Sequence, residues 1–375
     1  MIAIVGAGLI GLALACELAR RGAEVRVFDR AEPGRGASWA GAGMLAPFTE
    51  ELHEPAFERL CTASLERYPA FVARLAELGG VDAYLDLSGI LEVAFDETER
   101  LRLRGRAAAL AARGIAARGL DASEAVRLEP SLSRATLGGC FVASEGAVDN
   151  RRLGRALLAA AMALGVRVDV TGTVALESDA RRVRGLRTAA GFVAAETVVN
   201  ACGAWAGELD GVPAEVAVPV VPVKGQMLAL AVPAGLVTRT IWGAGVYGVP
   251  RRDGRLLVGA TVEAAGFDVR TTAGGQHDLL AGLLRALPSL RDLAVTETWA
   301  GLRPGTPDGL PYLGASSLEG YVLATGHYRN GILLTPITAD VVADVIEGRL
   351  PAVPIEAFAP SRARERDARP SAVAS

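Results

Sequence analysis

Gly6-Ala7-Gly8-Leu9-Ile10-Gly11 follows an apolar run and opens a stretch of small and apolar residues, and Asp29 closes the next apolar segment. This spacing suits the holding of a dinucleotide. Gly6 permits a tight turn out of a strand, Gly8 lets the backbone approach a pyrophosphate, and Gly11 lets helix and strand pack closely. The helix N-terminus then offers unpaired N–H groups and a partial positive charge to the phosphates. Asp29 is placed to accept hydrogen bonds from ribose hydroxyls, and its charge disfavours a 2′-phosphate. A lone glycine-rich turn can be purely structural, but here it sits between a strand and a helix with the acid at the expected distance. The fingerprint does not separate FAD from NAD.

Other segments carry further chemistry. Gly36 to Ala46 (GASWAGAGMLA) is nearly free of large polar side chains, which suits backbone lining a flat ligand better than a surface loop. Arg303, in Gly301-Leu302-Arg303-Pro304-Gly305-Thr306, is flanked by residues that fix the backbone. A guanidinium held in this way can grip a carboxylate through two charged hydrogen bonds, each worth about 1.5–3 kcal/mol. The same pattern also fits a solvated arginine beside a turn. His327 reads more readily as a loop histidine than as a base.

The elements that must position these groups begin with a βαβ unit: a buried strand at 2–6, a helix at 9–21 and a strand at 24–28. Helical patterns follow around 55–79, 97–113 and 150–164, with strands at 88–95 and 136–143. Short alternating segments from Val166 to Ala201 suggest a β-meander appended to the nucleotide fold. A second group of strands from Val218 to Leu257 is broken up by Pro219, Pro222, Pro233 and Pro250. A last strand at Tyr321 to Thr325 leads through a Gly-containing loop into a helix near 337–347. Such a strand, loop and helix can aim N–H groups at a region of developing negative charge.

The expected fold class is therefore α/β (α+β), with a Rossmann-like dinucleotide domain carrying a β-meander and an antiparallel-sheet substrate domain. The first takes 1–80, 140–215 and 301–360, the second 81–139 and 216–300, and 361–375 is expected to be a disordered tail. The chain has 375 residues, 51% hydrophobic and 22% charged, enough to bury a large core. A net charge of −3 with no basic stripe argues against nucleic acid. Lys224 is the only lysine. No apolar run reaches the roughly 20 residues of a spanning helix, and Ile2 to Cys16 lacks the basic start of a signal peptide. The expected location is the cytoplasm, without integral membrane contact. Cys16, Cys61, Cys140 and Cys202 are scattered and read as small buried hydrophobes, with no metal site.

Taken together, residues 6–11 with Asp29, 37–47 (ASWAGAGMLAP), 299–314 (WAGLRPGTPDGLPYLG) and 326–336 (GHYRNGILLTP) resemble the glycine oxidase group of D-amino-acid oxidase-like flavoenzymes, associated with thiamine biosynthesis. The resemblance covers nearly the whole chain. It implies noncovalent FAD in an extended pose, with Leu9 and Ile10 at the pyrophosphate, Asp29 and Arg30 at the adenosine ribose, and Ala37 and Ser38 nearby. Ala42, Gly43 and Met44 would line the flavin, and Val174 would meet the adenine through its backbone. The segment His327, Tyr328, Arg329, Asn330, Gly331, Ile332 and Leu333 would close the flavin site. Arg303 and the Tyr247 hydroxyl would bind the substrate carboxylate, although Tyr247 also suits a strand aromatic that simply packs. Arg329 favours glycine oxidase over oxidases of broader scope.

The implied reaction is oxidative deamination of glycine or another small amine by hydride transfer to flavin N5. Dioxygen becomes hydrogen peroxide, and the imine or glyoxylate supplies thiazole synthesis, with hand-over to a thiazole synthase. Placement does most of this catalysis, so no catalytic base is named. A homo-oligomer is expected. Val262, where a bulkier residue is common, would widen the pocket toward sarcosine or D-alanine. The alternative is a D-amino-acid or sarcosine dehydrogenase that passes electrons to a quinone.

Overall fold

The computed structural model describes residues 1–367. Its N-terminal unit is the strand Ile2–Val5, the helix Leu9–Arg20 and the strand Val25–Asp29, with the two strands parallel. Around them a six-stranded sheet runs in the order Tyr312–Ala315, Tyr321–Thr325, Thr197–Asn200, Ile2–Val5, Val25–Asp29, Arg167–Val170. Every pairing in it is parallel except that of the two C-terminal strands. Parallel strands must be covered on both faces, and they are. On one face Leu12, Leu14 and Leu18 pack with side chains from the helices Pro55–Gly79, Asn150–Ala163 and Thr335–Ile346. On the other, Leu176 and Leu186 of the meander Val174–Ser178, Val183–Thr188 and Gly191–Ala194 pack against Ala3, Phe28 and Leu323.

The second sheet has eight strands, in the order Val295–Gly305, Val221–Ala231, Arg255–Gly259, Val246–Pro250, Thr240–Gly243, Ile90–Ala94, Gly138–Val142, Ala117–Asp121. It is antiparallel apart from the pairing of Thr240–Gly243 with Ile90–Ala94. Leu279 and Leu283 of the helix Ala273–Ala286 join Leu228, Leu230 and Val258 in its core. The expected boundaries at 139/140 and 300/301 both fall inside strands of this sheet.

Pro222 does not interrupt Val221–Ala231. It lies opposite Pro304, and the strand on the other side pairs only with Met227 to Ala231, so no ladder bond requires the missing N–H. The expected disordered tail over 361–375 begins instead with a short helix, Arg362–Asp367, and Arg362 Nε lies 3.0 Å from Asp308 Oδ2. Residues 368–375 lie outside the described residues.

Two side chains of the long helix Pro55–Gly79 tie it to the loop before the last long helix. The fully buried Ser64 hydroxyl donates to Leu333 O at 2.6 Å and accepts from Ile337 N at 3.4 Å, and the Tyr68 hydroxyl donates to Ile332 O. Replacing Ser64 with Ala strands the Leu333 carbonyl, which costs about 1–3 kcal/mol. Ser64→Ala is expected to lower Tm in a calorimetric scan; an unchanged Tm would show that the loop is held by other contacts.

Candidate active site

A cavity of about 600 Å³ runs from the C-terminal ends of the first two parallel strands to the inner face of the second sheet. At its outer end the glycines divide by function. Gly6 has φ +110°, and a Cβ there would come within 2.3 Å of Ala201 O; one at Gly11 would come within 1.9 Å of Gly6 O. These two are demanded by packing within the chain. A Cβ on Gly8 would meet only Ser38 Oγ, at 3.3 Å, and Gly8 lines the cavity, whereas Gly11 does not.

Gly8 caps the first helix without a side-chain hydrogen bond, and Leu9 N donates to Ser38 Oγ at 3.0 Å. Among the described residues nothing accepts from the N–H of Ile10 or Gly11. Of the two, Ile10 lines the cavity, where a free N–H at a helix N-terminus suits an anion. Asp29 Oδ2 accepts from Ala7 N at 2.6 Å and Oδ1 from Ala31 N at 3.0 Å, which leaves lone pairs on both oxygens for ribose hydroxyls. The Arg30 guanidinium stacks 3.8 Å over the Trp205 ring, which stacks in turn on Phe267 at 5.5 Å. Val174 lines this same end.

In the middle of the cavity, the segment from Ala37 to Ala46 is held by its own carbonyls. The Asn150 amide donates to Ser38 O at 2.7 Å and Trp39 O at 3.1 Å, Arg251 Nη2 to Ala42 O at 2.6 Å, and Trp299 Nε1 to Ala40 O at 2.9 Å. Gly43, at φ +73°, packs so closely that a Cβ would lie 1.9 Å from Val148 O. Burial pushes Arg251 down to about 10, so it stays charged near neutrality. Asn150 and Arg251 also bond each other at 3.0 Å. Sequence reasoning missed both, and their type and spacing carry no signal: one sits in the first turn of a helix, the other just past a strand.

On the opposite side lies the loop from Gly326 to Leu334. Tyr328 adopts φ +47° and donates its N–H to Pro304 O at 3.0 Å, locking the loop to the Arg303 strand. Among the described residues nothing accepts from the N–H of Gly331 or Ile332, both on the cavity wall. Leu333 turns away into the core. His327 is buried with Nε2 3.1 Å from Thr338 Oγ1, and burial pushes its pKa down to about 3. It is neutral and works as a packing residue rather than a proton carrier.

The inner end holds four polar side chains: Arg303, Tyr247, Arg329 and Glu50. Arg303 Nη1 donates to Thr261 O at 3.1 Å and Lys224 O at 3.3 Å, and the guanidinium lies over Gly225, where a Cβ would come 2.4 Å from Nη1. Arg303 lines the cavity beside Tyr247. The Tyr247 hydroxyl lies 3.4 Å from Met227 Sδ, and burial raises its pKa, so it remains a phenol. Arg329 Nε pairs with Glu50 Oε2 at 3.1 Å.

Glu50 was not anticipated from sequence, because beside Glu51 and Glu54 nothing sets it apart. Its backbone is set by Glu145, whose carboxylate accepts from Phe48 N at 2.6 Å, Thr49 N at 2.9 Å and the Thr49 hydroxyl. Lys224, the single lysine, is buried with Nζ 3.2 Å from Glu263 Oε2.

A family model described as FAD dependent oxidoreductase matches residues 1–345. The chain belongs to this family. FAD is accordingly its cofactor, and the open backbone at Gly8 and the free N–H groups of Ile10, Gly331 and Ile332 on the cavity wall fit that group. When bound, FAD supplies a two-electron acceptor. A glycine oxidase of Pseudomonas aeruginosa is 37% identical over 368 residues, covering 96% of this chain and 98% of the relative. The crystal structure of glycine oxidase from Geobacillus kaustophilus superimposes with a TM-score of 0.92 at 36% identity, covering 96% of this chain and 98% of that one. The bifunctional protein ThiO/ThiG of Trichormus variabilis is 40% identical over 92% of this chain, which spans about half the length of that relative (52%).

Gly8→Val places a branched side chain where the phosphates must come, so the purified variant is expected to be colourless; a flavin-replete variant would remove Gly8 from the cradle. Burial pushes Glu145 up to about 7. A folded-state pKa above the unfolded value of about 4.3 gives stability that is present in full at low pH and lost as pH rises through the folded value. The Tm difference Glu145→Gln minus parent should therefore grow more positive from about pH 5 to about pH 8. A difference that stays constant would show that Glu145 does not titrate there.

Proposed function

We propose that this chain oxidises glycine, or another small amine carrying one carboxylate, with dioxygen as electron acceptor. The observation that carries the reading is Arg303. Its guanidinium is fixed by two backbone carbonyls and the flat surface of Gly225, with donors left over at the inner end of the cavity. A substrate acid anchored there, next to the Tyr247 hydroxyl, would present its α-carbon toward the wall formed by Ala42, Gly43 and Met44. Placement against that wall then does the catalysis. No side chain at this end is a free base: His327 is buried and neutral, and Glu50 is engaged by Arg329.

In this reading FAD is held noncovalently and the imine product, or glyoxylate after hydrolysis, supplies thiazole synthesis. The ThiO/ThiG relatives, in which a chain of this length is one half, support the hand-over. The enzyme works in the cytoplasm as a homo-oligomer, a setting compatible with four unpaired cysteines. Among the described residues no helix is long and apolar enough to cross a membrane.

Arg303→Ala is expected to raise the KM for glycine at least about tenfold, the loss of one charged hydrogen bond, while the bound flavin spectrum persists. Unchanged steady-state kinetics would remove Arg303 from the site. Stoichiometric peroxide release with glycine in aerated buffer is expected from the parent protein. Flavin bleaching without peroxide would instead favour a dehydrogenase that feeds a quinone.

A further inference from the structure

The geometry points to Glu50 as the residue that restricts the substrate to one acid group: its carboxylate occupies Arg329, which would otherwise bind a second carboxylate on the substrate. The inference rests on the reading of Arg303 as carboxylate anchor.

The inner end of the cavity carries two guanidinium groups, Arg303 and Arg329, and one carboxylate, Glu50. The net charge there is therefore +1, matched to a substrate with a single acid. Glu50 is 10% exposed and Arg329 36% exposed, with Arg329 Nε 3.1 Å from Glu50 Oε2, so the anion sits inside and the cation nearer the mouth. Burial pushes the Glu50 carboxyl above the usual carboxylate range, and the Arg329 and Arg303 guanidinium groups pull it back toward the ionised form. A carboxylate this deep is retained only if paired, and the pairing engages the Arg329 Nε and offsets the charge that a substrate's second acid would need.

Glu50 is also held firmly. The hydrogen bonds from Phe48, Thr49 and the Thr49 hydroxyl to Glu145 fix the backbone immediately before it, so it does not swing aside to admit an acidic tail. Arg329 is steadied independently by the loop that Tyr328 locks to Pro304, and its guanidinium lies 5.8 Å from the Trp242 ring centroid. Neutralising Glu50 therefore leaves Arg329 in position with its donors released.

An amine with two carboxylates is the matching probe. Iminodiacetate and water would give glyoxylate and glycine: two electrons and two protons leave one C–N unit, water cleaves the imine, and dioxygen takes the electrons and protons as hydrogen peroxide. In Glu50→Gln holoenzyme the ratio of kcat/KM for iminodiacetate to that for glycine is expected to rise at least about tenfold, as one charged pair is exchanged for another. Iminodiacetate should also raise the Tm of the Glu50→Gln holoenzyme more than that of the parent, which reads binding without turnover. Both gains should vanish in Glu50→Gln/Arg329→Gln.

An unchanged ratio with an unchanged Tm shift, or a gain that survives loss of Arg329, would overturn the proposal. So would a Glu50→Gln protein that binds glycine far more weakly without any gain for the diacid, since Glu50 would then be meeting the substrate amine. A parent holoenzyme whose flavin stays oxidised under anaerobic glycine would instead defeat the anchor reading itself.

Discussion

The structure depends on lining one cavity with bare backbone, at Ala37 to Ala46 and again at Gly331 and Ile332. Backbone can approach so closely only where side chains are absent, and then its carbonyls need partners from elsewhere. The segment from Ala37 to Ala46 meets that need with Asn150, which opens a helix against the first sheet, and with Arg251 and Trp299, one just past a strand of the second sheet and one within another. The same three residues that satisfy the segment therefore join the two sheets. The glycine contacts that a Cβ would break, at Gly41, Gly43 and Gly301, lie along the same seam.

From this constraint the division of labour follows. The parallel sheet supplies helix N-termini and a phosphate cradle, as open α/β sheets do at the carboxyl ends of their strands. The mixed sheet supplies a surface on which Arg303 and Tyr247 stand with two strands between them, those that carry Met227 and Gly259. Because Arg303 stands on an eleven-residue strand rather than a loop, its guanidinium is aimed by the sheet register.

Much of this was legible in the sequence where a residue type answers a local demand. The βαβ unit, the three long helices from Pro55, Glu97 and Asn150, and the meander follow from periodicity and glycine spacing. The strand Val295–Gly305 was not legible, because Pro304 and two glycines obscure its alternation and its partners, the neighbouring strand and the Ala37–Ala40 turn, lie far away in the chain. The helix Ala273–Ala286 opens with two glycines and has modest intrinsic propensity; it forms because Leu279 and Leu283 find a core that the sequence does not display. At the inner end of the cavity, Arg303, Tyr247 and Arg329 were singled out through motif blocks. Glu50, Asn150, Glu145 and Arg251 were not, since each acts through a partner far away in the chain and no spacing encodes that.

The four tryptophans of the chain gather around this one cavity. Trp205 lines its outer end, Trp39 and Trp299 meet edge to face at 5.9 Å beside the central segment, and Trp242 lies beneath Arg329. Every indole thus lies within energy-transfer range of a yellow chromophore seated in the cavity. The polypeptide consequently carries its own optical gauge of occupancy, dim when loaded and bright when stripped.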